Sequence, residues 1–430
     1  MNVLRSVPKS RNFSSQALIY ILAAAINAII PFLLLPFLTR WLGPADFGQV
    51  GSFVALVAVL TPIISLNAHG LISIAYFDKG EESSREQATW AVLIVLAMSV
   101  ICASASVAFR EPLASLVEMD AAWLWAVVIA ACGQGLLAVA LTIAQTKGRA
   151  FTYGFIQIGY AILLFAGCLL LIGYLGFAWR GRLVAQLLAA SIMAGLAITW
   201  LRRLGFITSP VRSEQLRRAL RFGVPLLPHS LAGAFMLSTD RLILANVVSS
   251  AEVGAYYLAY QIAILLLVLA QALNQAWLPW LYARLARNDK SARQEVGKAL
   301  LGIGAFFVTA AAGVVILAPV LVKVAGGPGF EQSVAPLRLL APAMACHAWY
   351  VFVSGFLFYR GRTGVLSFIT CLSAIVQIGL MGALIAYGVK GIASAVAITS
   401  LFYAMVTTYA ALRAFLIQEP SAAIDLESIK

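Results

Sequence analysis

Twelve apolar stretches, each close to the length needed to cross a lipid bilayer, follow one another along the chain with short connections between them. A membrane-spanning helix needs about 20 apolar residues, and its backbone N–H and C=O groups must be satisfied within the helix because lipid offers no partners. The pattern therefore predicts an all-α, polytopic membrane protein with twelve transmembrane helices. The predicted spans cover residues 16–38, 50–75, 89–109, 121–144, 153–174, 182–201, 222–247, 253–278, 299–322, 335–358, 365–386 and 391–412.

The composition agrees with lipid as the main solvent. The 430 residues are 62% hydrophobic and 11% charged, whereas a soluble domain is about 45–50% apolar and about 25% charged. These values exclude a cytosolic enzyme, a secreted disulfide scaffold and a disordered chain. The five cysteines lie in apolar stretches without ligand spacing, which is typical of small buried hydrophobic residues. The sequence contains no GxxxxGK(S/T) phosphate-binding loop, so we expect no ATP-driven step, no cofactor and no metal.

The net charge of +13 is distributed unevenly over the connections. With the N-terminus in the cytoplasm, the cytoplasmic segments hold 22 of the 30 Lys and Arg residues, while the opposite side holds 7, including Arg40 and Arg182. Cytoplasmic loops of membrane proteins are enriched in Lys and Arg. We therefore expect an inner-membrane protein with both termini in the cytoplasm, an uncleaved first span and no nucleic-acid partner.

An internal repeat divides the chain into two lobes of six spans, residues 1–210 and 211–430. The turn after the first span contains Ala45-Asp46-Phe47-Gly48, and the turn after the seventh contains Ala251-Glu252-Val253-Gly254. Because each lobe has an even number of spans, the two lobes share one topology. We therefore predict two six-helix bundles related by a pseudo-two-fold axis along the membrane normal.

Charged residues inside the predicted spans are the first candidates for a functional site, since a polar group within a bilayer faces protein or a water-filled cavity. Asp240 and Arg241 lie in the seventh span. Neighbouring residues of a helix project roughly 100° apart, so we expect these two side chains not to pair along the helix. Asp240 shares a helix face with His229. This face fits either an aqueous cavity or an inter-helix ion-pair lock.

Uncharged polar residues occur in the first, second and eighth spans, and together with the polar face of the seventh span they occupy matching positions of the two lobes. They are Asn27, Asn67, Tyr260, Gln271 and Asn274. Their symmetric distribution favours a central cavity between the lobes, with helix–helix hydrogen bonding as the alternative. In the tenth span, His347 fits either a packing role or a proton relay.

Four sequence segments carry a resemblance to a known family. The segments are Thr39-Arg40-Trp41-Leu42-Gly43-Pro44-Ala45-Asp46-Phe47-Gly48, Pro225-Leu226-Leu227-Pro228-His229-Ser230-Leu231, Asp240-Arg241 and Ala251-Glu252-Val253-Gly254-Ala255-Tyr256. With these segments and its helix count, the chain resembles the Wzx-type polysaccharide and O-antigen flippases of the multidrug/oligosaccharidyl-lipid/polysaccharide exporter superfamily. The resemblance implies two bundles facing each other in a V, with a cavity that carries a diphosphate-linked glycan from cytoplasm to periplasm.

The resemblance also implies roles for the candidate residues. Arg241 and Arg40 are expected to bind the diphosphate, because guanidinium groups pair strongly with phosphate oxygens. The uncharged polar residues of the first, second and eighth spans are expected to contact sugars. The implied partners are the lipid-linked glycan, the bilayer, and a polysaccharide polymerase or glycosyltransferase.

These observations predict a flippase, without covalent chemistry, for an undecaprenyl-diphosphate-linked sugar or oligosaccharide used in the biosynthesis of O-antigen, capsule or exopolysaccharide. A cation-coupled multidrug exporter of the same superfamily is the main alternative, and a membrane-embedded glycan-assembly enzyme is a further one. Transport is driven either by the membrane potential or by a coupled ion. For ion coupling, the candidate carriers are Asp240, His229 and His347.

Overall fold

The computed structural model describes residues 30–117, 120–207, 213–287 and 289–416, which form α-helices joined by short turns and contain no strand. The helices are α1 Ile30–Trp41, α2 Pro44–Ser65, α3 Gly70–Ala108, α4 Arg110–Val117, α5 Leu124–Thr146, α6 Ala150–Cys168, α7 Ala178–Arg203, α8 Ser213–Ala245, α9 Ser250–Ala263, α10 Leu265–Arg287, α11 Lys290–Ala325, α12 Val334–Tyr359, α13 Thr363–Leu384 and α14 Gly388–Leu416.

The helices agree with the predicted spans. In the described part of the chain, ten helical segments are long and apolar enough to cross a membrane. The last of these, Thr363–Arg413, contains both α13 and α14, and the shorter α1 coincides with the end of the first predicted span. The all-α membrane fold is therefore confirmed, while the part of the first span before Ile30 lies outside the described residues.

Two backbone irregularities differ from the prediction. The second span is interrupted between α2 and α3, where Leu66 and Asn67 have φ values of 43° and 51°. Pro62, which lies inside the last turns of α2, removes a backbone hydrogen bond just before this break. Conversely, α3 continues through the predicted connection at 76–88 and kinks at Gly80, whose φ of +83° suits glycine.

The helices of each half pack mainly against one another. In the first half, α7 packs on α5 and α6, and α5 packs on α2 and α3. In the second half, α12 packs on α10, α11 and α14, and α13 packs on α8 and α14. The halves meet where α2 packs on α8 and α9. This packing agrees with two helix bundles. The boundary between the lobes, at residues 210 and 211, stays a prediction.

The contact between α2 and α9 is reciprocal. A Cβ atom built on Gly48 would collide with the carbonyl of Ser250, and one built on Gly254 would collide with the carbonyl of Pro44. Each glycine therefore lets the other helix approach to backbone contact. In the predicted repeat, Ser250 is the counterpart of Pro44 and Gly254 is the counterpart of Gly48, each 206 residues later. The contact of Gly48 with Ser250 is therefore the repeat equivalent of the contact of Gly254 with Pro44.

Further contacts join the halves at both ends of α2. Near the predicted periplasmic end, the Thr39 hydroxyl donates to the Ala325 carbonyl at 2.7 Å, and the Phe47 and Tyr257 rings lie 4.9 Å apart. Near the predicted cytoplasmic end, the Asn67 amide donates to the Ser230 hydroxyl at 2.6 Å. The α2 side of the interface is thus closed along its length.

Candidate substrate cavity and nearby charged residues

A cavity of about 400 Å³ lies between the halves, on the side where α1 faces α10. The first half contributes α1 and α6 to its wall, and the second half contributes α9 and α10. Every lining residue in the described part of the chain is uncharged. The lining residues are Pro31, Phe32, Leu35, Tyr153, Gln157, Gln261, Ile264, Leu265, Val268, Gln271, Ala272 and Gln275.

Carboxamides from both halves supply most of the polar wall. Tyr153 and Gln157 are four residues apart on α6, so both face one side of the helix, and the Gln157 amide donates to the Tyr153 hydroxyl at 3.1 Å. Gln271 and Gln275 repeat the spacing of four on α10. A carboxamide offers two donors and an acceptor, which complements the hydroxyl groups of a sugar without selecting for charge.

The uncharged residues that were predicted to contact sugars do not all lie at the cavity. Gln271 lines the cavity, as expected. Asn274 lies one turn along α10 and has a buried side-chain oxygen without a hydrogen-bond partner among the described residues. Asn67 lies instead at the break between α2 and α3, bound to Ser230. Asn27 lies outside the described residues.

Most of the cavity wall was not predicted. Gln157 and Tyr153 lie on α6, which was not among the spans predicted to line the cavity, and Gln261 and Gln275 were not among the polar residues predicted on the eighth span. The spacing of four between Tyr153 and Gln157, and between Gln271 and Gln275, is the sequence signal for three of these residues.

Asp240 and Arg241 form a buried ion pair within α8, and the expectation that they do not pair was wrong. The Arg241 Nε atom lies 3.4 Å from Asp240 Oδ1, and the two residues are 2% and 1% exposed. Asp240 Oδ1 also accepts from the Arg241 backbone N–H at 2.8 Å. The carboxylate turns back toward the helix backbone, and the long arginine side chain reaches it. The angle of roughly 100° between neighbouring residues describes where the side chains leave the helix and not where their charged ends lie.

Tyrosines of α9 complete this buried cluster. Tyr256 donates its hydroxyl hydrogen to Asp240 Oδ2 at 2.6 Å. The Arg241 guanidinium carbon lies 3.9 Å from the centre of the Tyr260 ring, and a guanidinium N–H donates to the Leu237 carbonyl. Tyr260 therefore packs on Arg241 and does not line the cavity. The cluster links α8 to α9 through the tyrosines, whereas the ion pair itself lies within α8 and is not the inter-helix ion pair that the sequence left open.

Arg40 lies apart from this cluster, at the end of α1. Its side chain is exposed and donates to the Pro36 carbonyl at 2.8 Å and to the Val324 carbonyl at 3.4 Å. A cation at the carbonyl end of a helix is favourable because the last C=O groups lack helical partners. In this conformation Arg40 therefore joins the ends of α1 and α11.

The two candidate histidines occupy different environments. His229 is half-buried on α8, and His347 is 5% exposed within the second bundle, where its ring lies 5.7 Å from the Tyr403 ring. Each has one buried ring nitrogen without a hydrogen-bond partner among the described residues. Asp240 is bound by Tyr256 rather than by either histidine.

Arg182 is a further cation, and the hydropathy pattern predicts it in an outer connection. The structure places it within α7, where it is half-buried and donates to the Gln186 side-chain oxygen at 2.8 Å. The described residues contain no group of three His, Cys, Asp or Glu side chains that could hold a metal ion, and the five cysteines are free thiols.

Comparisons with known proteins agree with this architecture. A family model described as "Polysaccharide biosynthesis protein" matches residues 14–285. A protein of the Lsg locus of Haemophilus influenzae is 23% identical over 408 residues, covering 90% of this chain and 96% of its own length. An uncharacterized membrane protein of the same organism is 24% identical and covers 85% of this chain and 89% of its own length.

Solved transporter structures share the fold. The inward-facing conformation of a multidrug resistance MATE family transporter of the MOP superfamily superposes with a TM-score of 0.74 at 18% identity, covering 91% of this chain and 98% of that one. A MOP superfamily transporter from Pyrococcus furiosus superposes with a TM-score of 0.68 at 17% identity, covering 93% of this chain and 95% of that one. At these identities the superpositions show the fold alone.

Proposed function

Because the chain belongs to the polysaccharide biosynthesis protein family, which confirms its resemblance to the Wzx-type flippases, we propose that it moves a lipid-linked glycan across the inner membrane. The substrate in this proposal is an undecaprenyl-diphosphate-linked sugar or oligosaccharide. The direction is from the cytoplasmic to the periplasmic leaflet, and both termini lie in the cytoplasm. No covalent step is involved.

The carboxamide-lined cavity is the observation that carries the proposal. It lies between the halves, and Gln157 and Gln261 come from opposite halves. Side-chain amides pair with sugar hydroxyls as donors and as acceptors, and a cavity of about 400 Å³ is large enough for a small headgroup. Movement of one half relative to the other changes the distance between Gln157 and the glutamines of the second half. Binding and release of the glycan follow from that movement.

The contacts between α2 and α9 indicate how the two sides alternate. Gly48 and Gly254 hold the helices in backbone contact near the predicted periplasmic end. Opening toward the periplasm has to separate this contact together with the hydrogen bond from Thr39 to Ala325. We propose that the break at Leu66 and Asn67 absorbs part of the motion, since a few residues at helix ends commonly serve as hinges.

The membrane potential supplies a driving force for a charged substrate. Moving one elementary charge across the potential is worth about 2.3 kcal/mol per 100 mV. A diphosphate with roughly two negative charges therefore gains about 4–5 kcal/mol when it leaves a negative interior. Coupling to an ion at Asp240, His229 or His347 stays a proposal, and proteoliposome transport with separately imposed potential and ion gradients tests it.

The structure supports a structural assignment for Arg241 in place of direct diphosphate binding. Arg241 is 2% exposed and already has Asp240 as its counter-ion. We therefore assign the Asp240–Arg241 pair to the connection between α8 and α9. Binding of the diphosphate by the exposed Arg40 stays a proposal, since Arg40 contacts carbonyl groups and forms no ion pair with a carboxylate among the described residues.

The proposal is tested by deleting the gene and analysing lipid-linked intermediates and surface glycan. We expect lipid-linked repeat units to accumulate at the cytoplasmic face and the wild-type gene to clear them. Gln157→Leu combined with Gln271→Leu should fail to restore surface glycan although the protein inserts normally. Gln294→Leu is the matched control because Gln294 is exposed on α11, away from the cavity. Normal surface glycan with new drug sensitivity would identify a drug exporter instead.

A further inference from the structure

A groove of about 660 Å³ lies on the first half, between α3, α5 and α7. Among the described residues it shares no lining residue with the cavity between the halves. On α7 the wall of the groove extends from Ser191, near the middle of the helix, to Arg202 in its last turn. At a rise of about 1.5 Å per residue this distance is about 16 Å. The lining residues of α3 and α5 lie around the middle of their predicted spans.

The wall of this groove suits a hydrocarbon chain. Two of its hydroxyl groups are already bound within their own helices, since Ser99 donates to the Val95 carbonyl at 2.7 Å and Thr199 donates to the Gly195 carbonyl at 2.8 Å. Most of the other lining side chains are aliphatic, and Ile129 among them is exposed. A Cβ atom built on Gly195 would meet no atom within 4 Å, so the groove is open there. An acyl chain therefore packs against the wall without leaving these two hydroxyl groups unpaired.

A positive charge lies at one end of the groove. Arg202 is the only charged residue among the lining residues that the structure describes, and it is exposed at the predicted cytoplasmic end of α7. The hydrocarbon core of a bilayer is about 30 Å thick, so one leaflet contributes about 15 Å. The groove therefore runs along α7 from the bilayer centre to the depth of the cytoplasmic headgroups. A guanidinium group at that depth pairs with a phosphate.

We propose that this groove binds a phospholipid of the cytoplasmic leaflet, with an acyl chain between α3, α5 and α7 and the phosphate at Arg202. A transmembrane helix of another protein is the rival occupant, because Ser191, Gly195 and Thr199 form a stripe of small residues at a spacing of four. A spanning helix needs a contact surface across about 30 Å, whereas the groove follows α7 for about half of that length. The lipid fits both the length of the groove and the charge at its end.

The place of the acyl chain is tested with full-length protein in detergent and a phosphatidylglycerol that carries a photoreactive diazirine in the middle of one chain. Peptide mass spectrometry should find most of the label on the groove-lining segments of α3, α5 and α7. Gly195→Leu should lower this labelling at least about fivefold, because the leucine side chain takes the room of the acyl chain. Gly302→Leu is the matched control, since Gly302 is exposed on α11 and a Cβ atom there also meets no atom within 4 Å. It should change the labelling less than about twofold.

The place of the phosphate is tested by comparing phosphatidylglycerol with diacylglycerol, which has the same chains and no phosphate. In native mass spectrometry the wild-type protein should bind phosphatidylglycerol more tightly. Arg202→Gln should weaken that binding at least about fivefold and leave diacylglycerol binding unchanged. Arg203→Gln is the matched control, because Arg203 is exposed in the same helical turn and does not line the groove. Its effect should be less than about twofold.

Several results would overturn the lipid site. Label spread evenly over all lipid-facing helices would show an unspecific lipid annulus, and equal losses in Arg202→Gln and Arg203→Gln would show a general surface attraction. Disulfide cross-linking of Ser191→Cys to a second copy or to another membrane protein would show that a helix occupies the groove. Where Arg202→Gln does not insert, equal labelling of Gly195→Leu and Gly302→Leu overturns the site by itself. None of these outcomes depends on the proposed transport function, because they report lipid binding or occupancy of the groove and not transport.

Discussion

Neutralising both members of the Asp240–Arg241 pair should destabilise the protein by less than the sum of the two single changes. Asp240→Asn leaves the Arg241 guanidinium buried, 2% exposed, without its carboxylate. Removing one partner of a buried ion pair costs about 3–5 kcal/mol because an uncompensated charge remains. Arg241→Gln leaves the Asp240 carboxylate buried without its counter-ion, although the hydroxyl of Tyr256 still donates to it at 2.6 Å. Its cost should therefore lie at the lower end of that range.

The double variant Asp240→Asn/Arg241→Gln contains no buried charge at this position. Its cost should be smaller than the sum of the two single costs by at least about 1.5 kcal/mol, since coupling within one buried network reaches about 0.5–3 kcal/mol. The measurement is unfolding of purified protein in mixed micelles with increasing SDS. Asn246→Ala, in the exposed turn directly after α8, loses a hydrogen bond to the Leu242 carbonyl and should change the free energy of unfolding by no more than about 1 kcal/mol.

Two results would refute this reasoning. Additive costs for the two single variants, within about 0.5 kcal/mol, would show that the carboxylate and the guanidinium are not coupled. Full stability of the double variant together with complete loss of surface glycan would show that the pair acts in transport, on the substrate or on a coupled ion. Restored glycan synthesis in the double variant is the outcome expected for a connection between α8 and α9.

Three further predictions concern the ends of helices. Gly254→Val should prevent close packing of α9 on the Pro44 carbonyl, and cysteine cross-linking between α2 and α9 should fall several-fold. Ser249→Ala removes the N-terminal cap of α9 and should cost about 0.5–2 kcal/mol in SDS unfolding. The pKa of Asp289 is lowered, first by the hydrogen bond from the Ala292 N–H and then by Arg287. Its stabilising effect should therefore be lost as pH falls through this lowered pKa, and a pH series should show that dependence weakened in Asp289→Asn.

The sequence predicts the number and order of the spans because each span has to satisfy its own backbone in lipid. Hydropathy alone does not locate the local departures from this rule. The break at Leu66 and Asn67 occurs within an apolar stretch that hydropathy treats as continuous. Pro62 removes a backbone hydrogen bond just before the break, and Asn67 binds Ser230 of the other half at it.

The site was predicted in part, and the errors have a common physical cause. Gln271 was expected at the cavity because it is polar within an apolar span. Arg182 was assigned to an outer connection because hydropathy ends a span at a charge, whereas the helix begins four residues earlier, at Ala178. Asp240 and Arg241 were expected to point apart because backbone geometry alone was considered. Side-chain length and tertiary packing decide these positions, and a periodicity analysis contains neither.

The contact at Gly48 and Gly254 has the form of an isologous interface between two copies of one unit. Gly48 meets the Ser250 carbonyl while Gly254 meets the Pro44 carbonyl, and each pair is related by the same shift of 206 residues. In a homodimer with two-fold symmetry, residue i contacts residue j of the partner and j contacts i. The chain retains this reciprocity across its two halves. A six-span ancestor that assembled as a parallel homodimer and was later fused end to end accounts for the geometry.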